Sequence, residues 1–187
     1  MEIHPESARL FEVDEEVEKA KNAAFRLLSG RAYSRTEMLD KLKKRRFGSR
    51  AIEQVLSDLD RLGLVDDHSF ARRFAEDRLR FRPMGRALLY RDLKRRKVAV
   101  EVIEPVLEEV LADVDALAMA TELLRSRMKR YTGLPRSKAM ARMCGFLGRR
   151  GFGPSDSQEA AREIWSEIGA QATPQHQGDL PEPGRTT

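Results

Sequence analysis

The feature that most constrains the fold is a short pattern of apolar and basic residues that occurs three times. Leu42, Leu93 and Leu147 are each followed by four residues that are basic or glycine, and then by a second apolar residue. The second copy begins 51 residues after the first, and the third begins 54 residues later. Units of this length that cannot bury their apolar face alone are expected to stack on one another.

Around each copy the apolar residues follow the spacing of an α-helix with one buried face. In residues 49–63 they recur at i, i+3, i+4, i+7 and i+10. Ser34 and Glu37 form the sequence pattern of a capping box, and Gly63 occupies the position of a left-handed C-terminal cap. No run of alternating β-branched residues is present. We therefore predict an all-α fold of three tandem three-helix repeats that form an elongated, curved array.

Several local features give sharper expectations. Asp67 is predicted to be the N-cap of a helix carrying Phe70, and Arg82-Pro83 is predicted to end that helix. Pro105 falls inside an expected helix, so we predict a late start that leaves proline in the first turn. The helical spacing of six phenylalanines favours the core over base stacking; they are Phe25, Phe47, Phe70, Phe74, Phe146 and Phe152.

The same patterns divide the chain into five segments. We expect an acidic N-terminal extension over 1–15 and a disordered tail over 170–187, where Gln, Pro, Gly and Thr dominate. Between them we place repeat 1 at 16–66, repeat 2 at 67–114 and repeat 3 at 115–169.

Composition restricts where such a chain works. No stretch approaches the ~20 apolar residues of a membrane-spanning helix, and the N-terminus lacks the pattern of a secretory signal. The single cysteine, Cys144, can neither form an internal disulfide nor hold zinc alone. A cytoplasmic protein without contact with membranes is expected. Nothing resembles a heptad seam, so a monomer is the default.

The charges are segregated along the chain, although the net charge is only +5. Residues 26–100 carry 21 Lys and Arg against 10 acids, residues 101–117 carry six acids and no base, and residues 118–152 carry nine bases against Glu122. Two basic blocks separated by an acidic one indicate a polyanionic partner or an acidic protein surface.

The recurring basic residues are the candidate binding site. Four adjacent cations exceed what a helix C-terminus can use, since the dipole contributes only ~0.3–1 kcal/mol. Solvated helix ends remain the alternative interpretation, and it applies equally to the arginines after Phe70. The predicted partner- or DNA-binding residues are Lys43, Lys44, Arg45, Arg46, Arg72, Arg73, Arg91, Lys94, Arg95, Arg96, Lys97, Arg149 and Arg150.

Catalytic chemistry has little support in the sequence. Asp66 and Asp67 could be viewed as a carboxylate pair, but no third ligand is near them and a helix start explains them better. No Ser-His-Asp or Cys-His arrangement and no glycine-rich phosphate loop can be assembled. We expect neither an enzyme nor a cofactor, and no catalytic or metal-binding residues.

Three segments resemble a known family. Residues 63–71 read GLVDDHSFA, which is similar to the signature G-L-[IL]-[DN]-D-x-x-[FY]-A that joins the first two repeats of the RecX family. Residues 34–42, SRTEMLDKL, resemble the family's S-x-x-E-L-x-x-K-L, with Met38 for the usual leucine. Gly85 and residues 88–93, LLYRDL, resemble a second such segment, with Asp92 for the usual glutamate. The resemblance covers about residues 16–168 and is weakest in the third repeat.

The resemblance implies a non-enzymatic regulator of the recombinase RecA. Members of this family bind the groove of the RecA–DNA filament and restrain its strand exchange, ATP hydrolysis and co-protease activity, and hence DNA repair and the SOS response. The implied partners are the RecA filament and single- or double-stranded DNA within it. A stand-alone basic helical DNA-binding module is the alternative, since two helices joined by a short turn also resemble a helix-turn-helix.

Overall fold

The computed structural model describes residues 5–172, and the side chains of residues 14–171. This part of the chain contains nine α-helices, one short 3₁₀ turn and no strand, which confirms the all-α prediction. The helices are α1 (Pro5–Leu28), α2 (Arg35–Lys44), α3 (Ser49–Arg61), α4 (Asp67–Phe81), α5 (Arg86–Arg95), α6 (Val100–Leu111), α7 (Ala116–Arg125), α8 (Arg136–Arg149) and α9 (Pro154–Ala172).

The chain divides into two compact units. The first unit runs through Asp115 and also includes Arg149–Phe152, whereas the second comprises Ala116–Gly148 and the chain from Gly153 onward. The first unit contains α1 to α6, and the second contains α7, α9 and nearly all of α8. The predicted boundaries of the five segments and the curved array remain predictions.

In the first unit, α1 to α3 surround one apolar core. Helices α1 and α2 both pack against α3, whose apolar residues all lie on one face. Ala20, Leu42, Val55 and Leu59 are completely buried in this core. The capping box is present as predicted, because the Ser34 hydroxyl accepts from Glu37 N at 3.2 Å while Glu37 accepts from Ser34 N at 3.4 Å.

Helices α4 to α6 repeat this arrangement with a second core. Both α4 and α5 pack against α6, and Ala71, Leu89, Leu93, Ile103 and Leu107 are completely buried. Helices α5 and α6 begin 51 residues after α2 and α3. The period seen in the sequence is therefore the period of the helices.

In the second unit, α7 packs against α9. The completely buried side chains of these two helices and of α8 include Leu124, Met143, Leu147 and Ile164. A 3₁₀ turn at Met128–Arg130 lies between α7 and α8. It lies in the connection between α7 and α8, residues 126–135, which is longer than the connections 29–34 and 82–85 that precede α2 and α5.

The last residue of each four-residue basic or glycine segment has a left-handed backbone. The φ angles are 64° at Arg46, 60° at Lys97 and 84° at Gly151. Glycine adopts this conformation at little cost, but a side chain with a Cβ is strained in it. Two of the three equivalent positions therefore hold a cation where glycine would be more stable.

The start of α4 corrects one prediction. Its N-cap is Asp66, not Asp67, since the Asp66 carboxylate accepts from His68 N at 2.9 Å. A hydrogen bond from the Ser69 side chain lowers the pKa of Asp66. Asp67 is the first helical residue, and its carboxylate instead accepts from Arg35 N at 2.7 Å. Burial raises the pKa of Asp67.

Two other expectations are wrong in detail. Helix α6 begins at Val100, so Pro105 lies inside it rather than in the first turn. Proline has no N–H to donate to the backbone carbonyl of Glu101, four positions before it. Pro105 and Glu101 are both exposed, so water can solvate that carbonyl. Phe25 is 37% exposed and is not a core residue. The segment bounds stay predictions; helix α1 begins at Pro5, within the predicted acidic extension, and α9 continues to Ala172. The rest of the predicted tail lies outside the described residues.

Candidate partner-binding surface

The first basic cluster, defined as Lys43, Lys44, Arg45 and Arg46, lies at the end of α2 and in the turn after it. All four side chains are exposed. Among the described residues, none of them has an ion-pair partner. Four adjacent positive charges are therefore exposed together, and no ion pair with a described acid compensates them.

The second basic cluster, Lys94, Arg95, Arg96 and Lys97, has the same sequence position but different contacts. Only Lys94 is exposed without an ion-pair partner in the described part of the chain. Arg95 Nη2 lies 2.7 Å from Asp92 Oδ1 within α5. Lys97 forms an ion pair with Asp40 of α2. Two equivalent sequence motifs therefore differ in the charge that they leave available.

Arg96 is largely occupied by contacts inside the first unit. Its guanidinium lies 5.2 Å from the ring centre of Phe70, and its Nη2 donates to the carbonyl of Ala32 at 3.2 Å. Its Nε lies 3.3 Å from Glu37 Oε1, without the geometry of a hydrogen bond. These contacts join the end of α5 to α4, to α2 and to the chain just before α2.

Burial, the largest effect, lowers the pKa of Arg96, and the carboxylate of Glu37 opposes that shift. Glu37 also pairs with Arg31 at 3.1 Å. The Glu37 carboxylate thus contacts the guanidinium groups of Arg31 and Arg96 and also accepts a hydrogen bond from Ser34 N in the capping box. The environment of Arg96 is that of a structural cation, although its predicted role in partner binding is not tested by this arrangement.

The other predicted cations are equally uneven. Arg72 of α4 forms an ion pair with Glu109 of α6. Arg73 and Arg91 are exposed, and neither has an ion-pair partner among the described side chains. Arg149 is exposed at the end of α8, whereas Arg150 is half-buried and donates to the carbonyl of Pro83 at 3.5 Å.

A pocket of about 320 Å³ lies in the first unit beside Arg96. Aromatic side chains and guanidinium groups line much of it, with Asp66 and Asp77 also present. The guanidinium of Arg31 lies 3.6 Å above the ring of Tyr33, so one of the three guanidinium groups that line the pocket is already stacked. The pocket combines apolar surface with a small excess of positive charge. Its lining includes Arg31, Tyr33, Phe70, Arg73, Phe74 and Arg96.

One basic segment was absent from the predicted site. Residues 125–130 contain four cations, of which Arg125, Lys129 and Arg130 are exposed and Arg127 is half-buried. Their density in sequence was an available signal, but these residues lie outside the repeating motif at the ends of α2, α5 and α8. The turn at Met128–Arg130 has no counterpart in the first two copies of the pattern.

Side chains that could bind a metal ion are not clustered within residues 14–171. No group of three or more His, Cys, Asp or Glu side chains in that range could hold a metal ion. No helix in the described range is both long and apolar enough to span a bilayer. The structure instead places basic side chains at the C-terminal ends of α2, α5 and α8.

Repeated three-helix cores with cations concentrated at helix ends define an all-α protein of tandem helical domains. Family models described as the first and the second three-helix domain of RecX match residues 20–59 and 66–107, respectively. The chain is 34% identical over 154 residues to "Regulatory protein RecX" of Chlorobium phaeobacteroides (strain BS1), covering 81% of this chain and 97% of that relative. The chain belongs to the RecX family.

Other relatives agree with this assignment. The protein named "Regulatory protein RecX" of Amycolatopsis mediterranei (strain U-32) is 32% identical, over 86% of this chain and 91% of its own length. A crystal structure of regulatory protein RecX matches the fold with a TM-score of 0.71 at 17% identity, covering 91% of this chain and 79% of that one. The crystal structure of RecX from Lactobacillus salivarius matches with a TM-score of 0.69 at 18% identity, covering 84% and 99%. The two sequence relatives are both named regulatory proteins.

Proposed function

We propose that this protein binds the RecA–DNA filament in the cytoplasm and restrains its ATP hydrolysis, strand exchange and co-protease activity. In this role it would limit recombination and the SOS response without catalysing a reaction itself. The proposal rests on membership of the RecX family. The observation that gives it a site is the first basic cluster, whose four exposed cations have no ion-pair partner among the described residues.

The physical rationale is avidity. Similar helical units in tandem can contact successive protomers of a filament, so several weak contacts act together. Exposed cations such as Lys43 and Lys44 would meet DNA phosphates or acidic patches of the filament. Their contribution is expected to fall as salt concentration rises, because exposed charges are screened and counterion release weakens.

The charge of α3 and α6 argues against a stand-alone helix-turn-helix module. In such a module the third helix of each three-helix set, α3 or α6, would enter the major groove. The exposed face of α3 carries Glu53 and Asp60, and that of α6 carries Glu101 and Glu108. Carboxylates at these positions would be repelled by phosphate, so these helices are poorly suited to reading bases.

The test is the ATPase activity of RecA on single-stranded DNA, titrated with this protein at two salt concentrations. We expect inhibition at protein levels too low to coat the DNA, and relief of the inhibition at the higher salt. Free DNA binding is recorded in parallel by fluorescence anisotropy. Tight DNA binding without any inhibition of RecA would favour the DNA-module alternative.

A matched pair of variants tests the site separately from the function. Lys43→Ala/Lys44→Ala/Arg45→Ala removes three charges of the first basic cluster and leaves the strained Arg46 in place. Lys19→Ala/Arg26→Ala/Arg61→Ala removes three exposed charges elsewhere. We expect the first triple variant to need at least tenfold more protein for half-inhibition, and the second to behave as wild type. Equal inhibition by both variants would refute the site but leave the function standing.

A further inference from the structure

The turn between α7 and α8 forms a basic pocket in the second unit. The pocket has a volume of about 420 Å³. Four of its lining residues are cations, and one is an acid. The lining residues are Arg125, Ser126, Arg127, Met128, Lys129, Arg130, Glu167 and Gln171.

The acid of this pocket is already neutralised. Arg125 Nη2 lies 2.5 Å from Glu167 Oε1, and Arg125 Nε lies 3.2 Å from Glu167 Oε2, so the pair is bidentate. Hydrogen bonding to Arg125 lowers the pKa of Glu167. Arg125 also contacts Glu122 and Glu163, neither of which lines the pocket. The charges of Arg125 and Glu167 cancel inside the pocket, which leaves three cations in excess.

Those three cations are held on a short, ordered turn. Backbone hydrogen bonds of 2.9 Å join Arg130 N to Arg127 O and Tyr131 N to Met128 O. The side chain of Tyr131 is 5% exposed and anchors the end of the turn. Arg127 lies 4.5 Å above the ring of Phe146, which restricts its orientation. Lys129 and Arg130 are exposed, and neither has an ion-pair partner among residues 14–171.

From this arrangement we infer that the pocket binds the phosphate groups of a nucleic-acid backbone. Guanidinium groups match phosphate oxygens with paired hydrogen bonds, and an ammonium group adds a compact charge. Among the described residues, no aromatic side chain lines the pocket, so it lacks the aromatic platform on which single-strand binders stack successive bases. Contact with phosphate alone carries no sequence information, and binding is independent of base identity.

This site is separate in sequence from the first basic cluster and belongs to the other unit. It concerns free DNA, so it does not depend on the proposed action on RecA. An acidic protein surface is the competing occupant. It differs from nucleic acid in offering carboxylates at irregular spacing rather than a regular row of phosphates, and the test below compares the two.

The experiment measures fluorescence anisotropy of a fluorescein-labelled dT 30-mer with the full chain. For Lys129→Ala/Arg130→Ala we expect at least tenfold weaker binding. We also expect the slope of log affinity against log salt to become less negative by about 1.4, because each lost phosphate contact contributes about 0.7 on a single strand. A dA 30-mer should bind within twofold of dT. The circular dichroism melting curve of the variant should match that of the wild type.

The matched control is Arg26→Ala/Arg162→Ala, which removes two exposed cations that do not line the pocket. It should bind within twofold of wild type. Equal losses in both double variants would show that net charge alone decides binding and would overturn the proposal. Labelled poly-glutamate of the same charge is the second probe, and affinity equal to that of dT would overturn the preference for phosphate.

Discussion

The hydroxyl of Ser34 donates a 2.6 Å hydrogen bond to the carbonyl oxygen of Arg96, 62 residues away. The same hydroxyl accepts from Glu37 N at 3.2 Å and caps the N-terminus of α2. Arg96 is the C-cap residue of α5. A single completely buried hydroxyl therefore joins the start of a helix in the first three-helix set to the end of a helix in the second.

Removing that hydroxyl should destabilise the first unit. Ser34→Ala loses an N-cap and leaves the Arg96 carbonyl without its partner, so we expect a loss of about 2 kcal/mol in the free energy of unfolding. Urea unfolding followed by circular dichroism measures it. Thr36→Ala, an exposed substitution in the same helix, serves as the control and should change stability by less than about 0.5 kcal/mol. Comparable losses in the two variants would contradict the role of Ser34.

Truncation of the equivalent residues Arg45 and Arg96 should affect different properties, binding in one case and stability in the other. Arg45→Ala removes an exposed charge, so we expect unchanged stability and weaker inhibition of RecA. Arg96→Ala removes the stacking on Phe70, the Ala32 hydrogen bond and a partner of Glu37, for which we expect a loss of about 2 kcal/mol. Thermal melting and the RecA ATPase assay separate the two effects. Destabilisation by Arg45→Ala equal to that by Arg96→Ala would refute this division of roles.

The strained backbone at Arg46 gives a prediction of opposite sign for stability and binding. Arg46→Gly relieves a side chain at a φ of 64°, so we expect the variant to be more stable by about 1 kcal/mol. The same change removes one charge of the first basic cluster and should weaken filament binding. Arg46→Ala is the control, because it loses the charge but keeps the strain. If Arg46→Gly proves less stable than wild type, the strain argument fails.

The charge of Asp66 should produce a pH-dependent contribution to stability. Its pKa is lowered in the folded protein by the Ser69 hydrogen bond, so ionised Asp66 stabilises the fold above its unfolded pKa of about 3.9. That contribution is lost as the pH falls through the lower, folded pKa. Asp66→Asn keeps a capping side chain but carries no charge.

We therefore expect wild type to be more stable than Asp66→Asn at pH 6 and equal to it near pH 2. Urea unfolding at several pH values measures the difference. Asp67→Asn provides the comparison, because burial raises the pKa of Asp67. The ionised form of Asp67 opposes folding. The stability of Asp67→Asn relative to wild type should therefore be higher at pH 6 than at low pH. A pH-independent difference for Asp66→Asn would contradict the assigned effect of its charge.

Much of the fold could be predicted from local sequence, because helix periodicity and caps are local properties. The spacing in residues 49–63, the Ser34–Glu37 capping box and Gly63 all gave correct helix features. The cap of α4 was misplaced by one residue, since adjacent aspartates are equivalent in sequence. The contact between Asp67 and Arg35 N, which distinguishes them, spans 32 residues. Pro105 was misjudged because solvent exposure of the unpaired carbonyl cannot be read from the sequence.

The sequence by itself determined an all-α chain, a period of 51 residues and the positions of its basic clusters. Tertiary structure alone decided which of those charges remain available. Arg45 and Arg96 occupy equivalent positions in the repeat, but only Arg96 meets Phe70, Ala32 and Glu37. The reason is physical: helix formation depends on neighbours within a few residues, whereas the partner of a long, flexible cation is set by whichever distant element packs beside it.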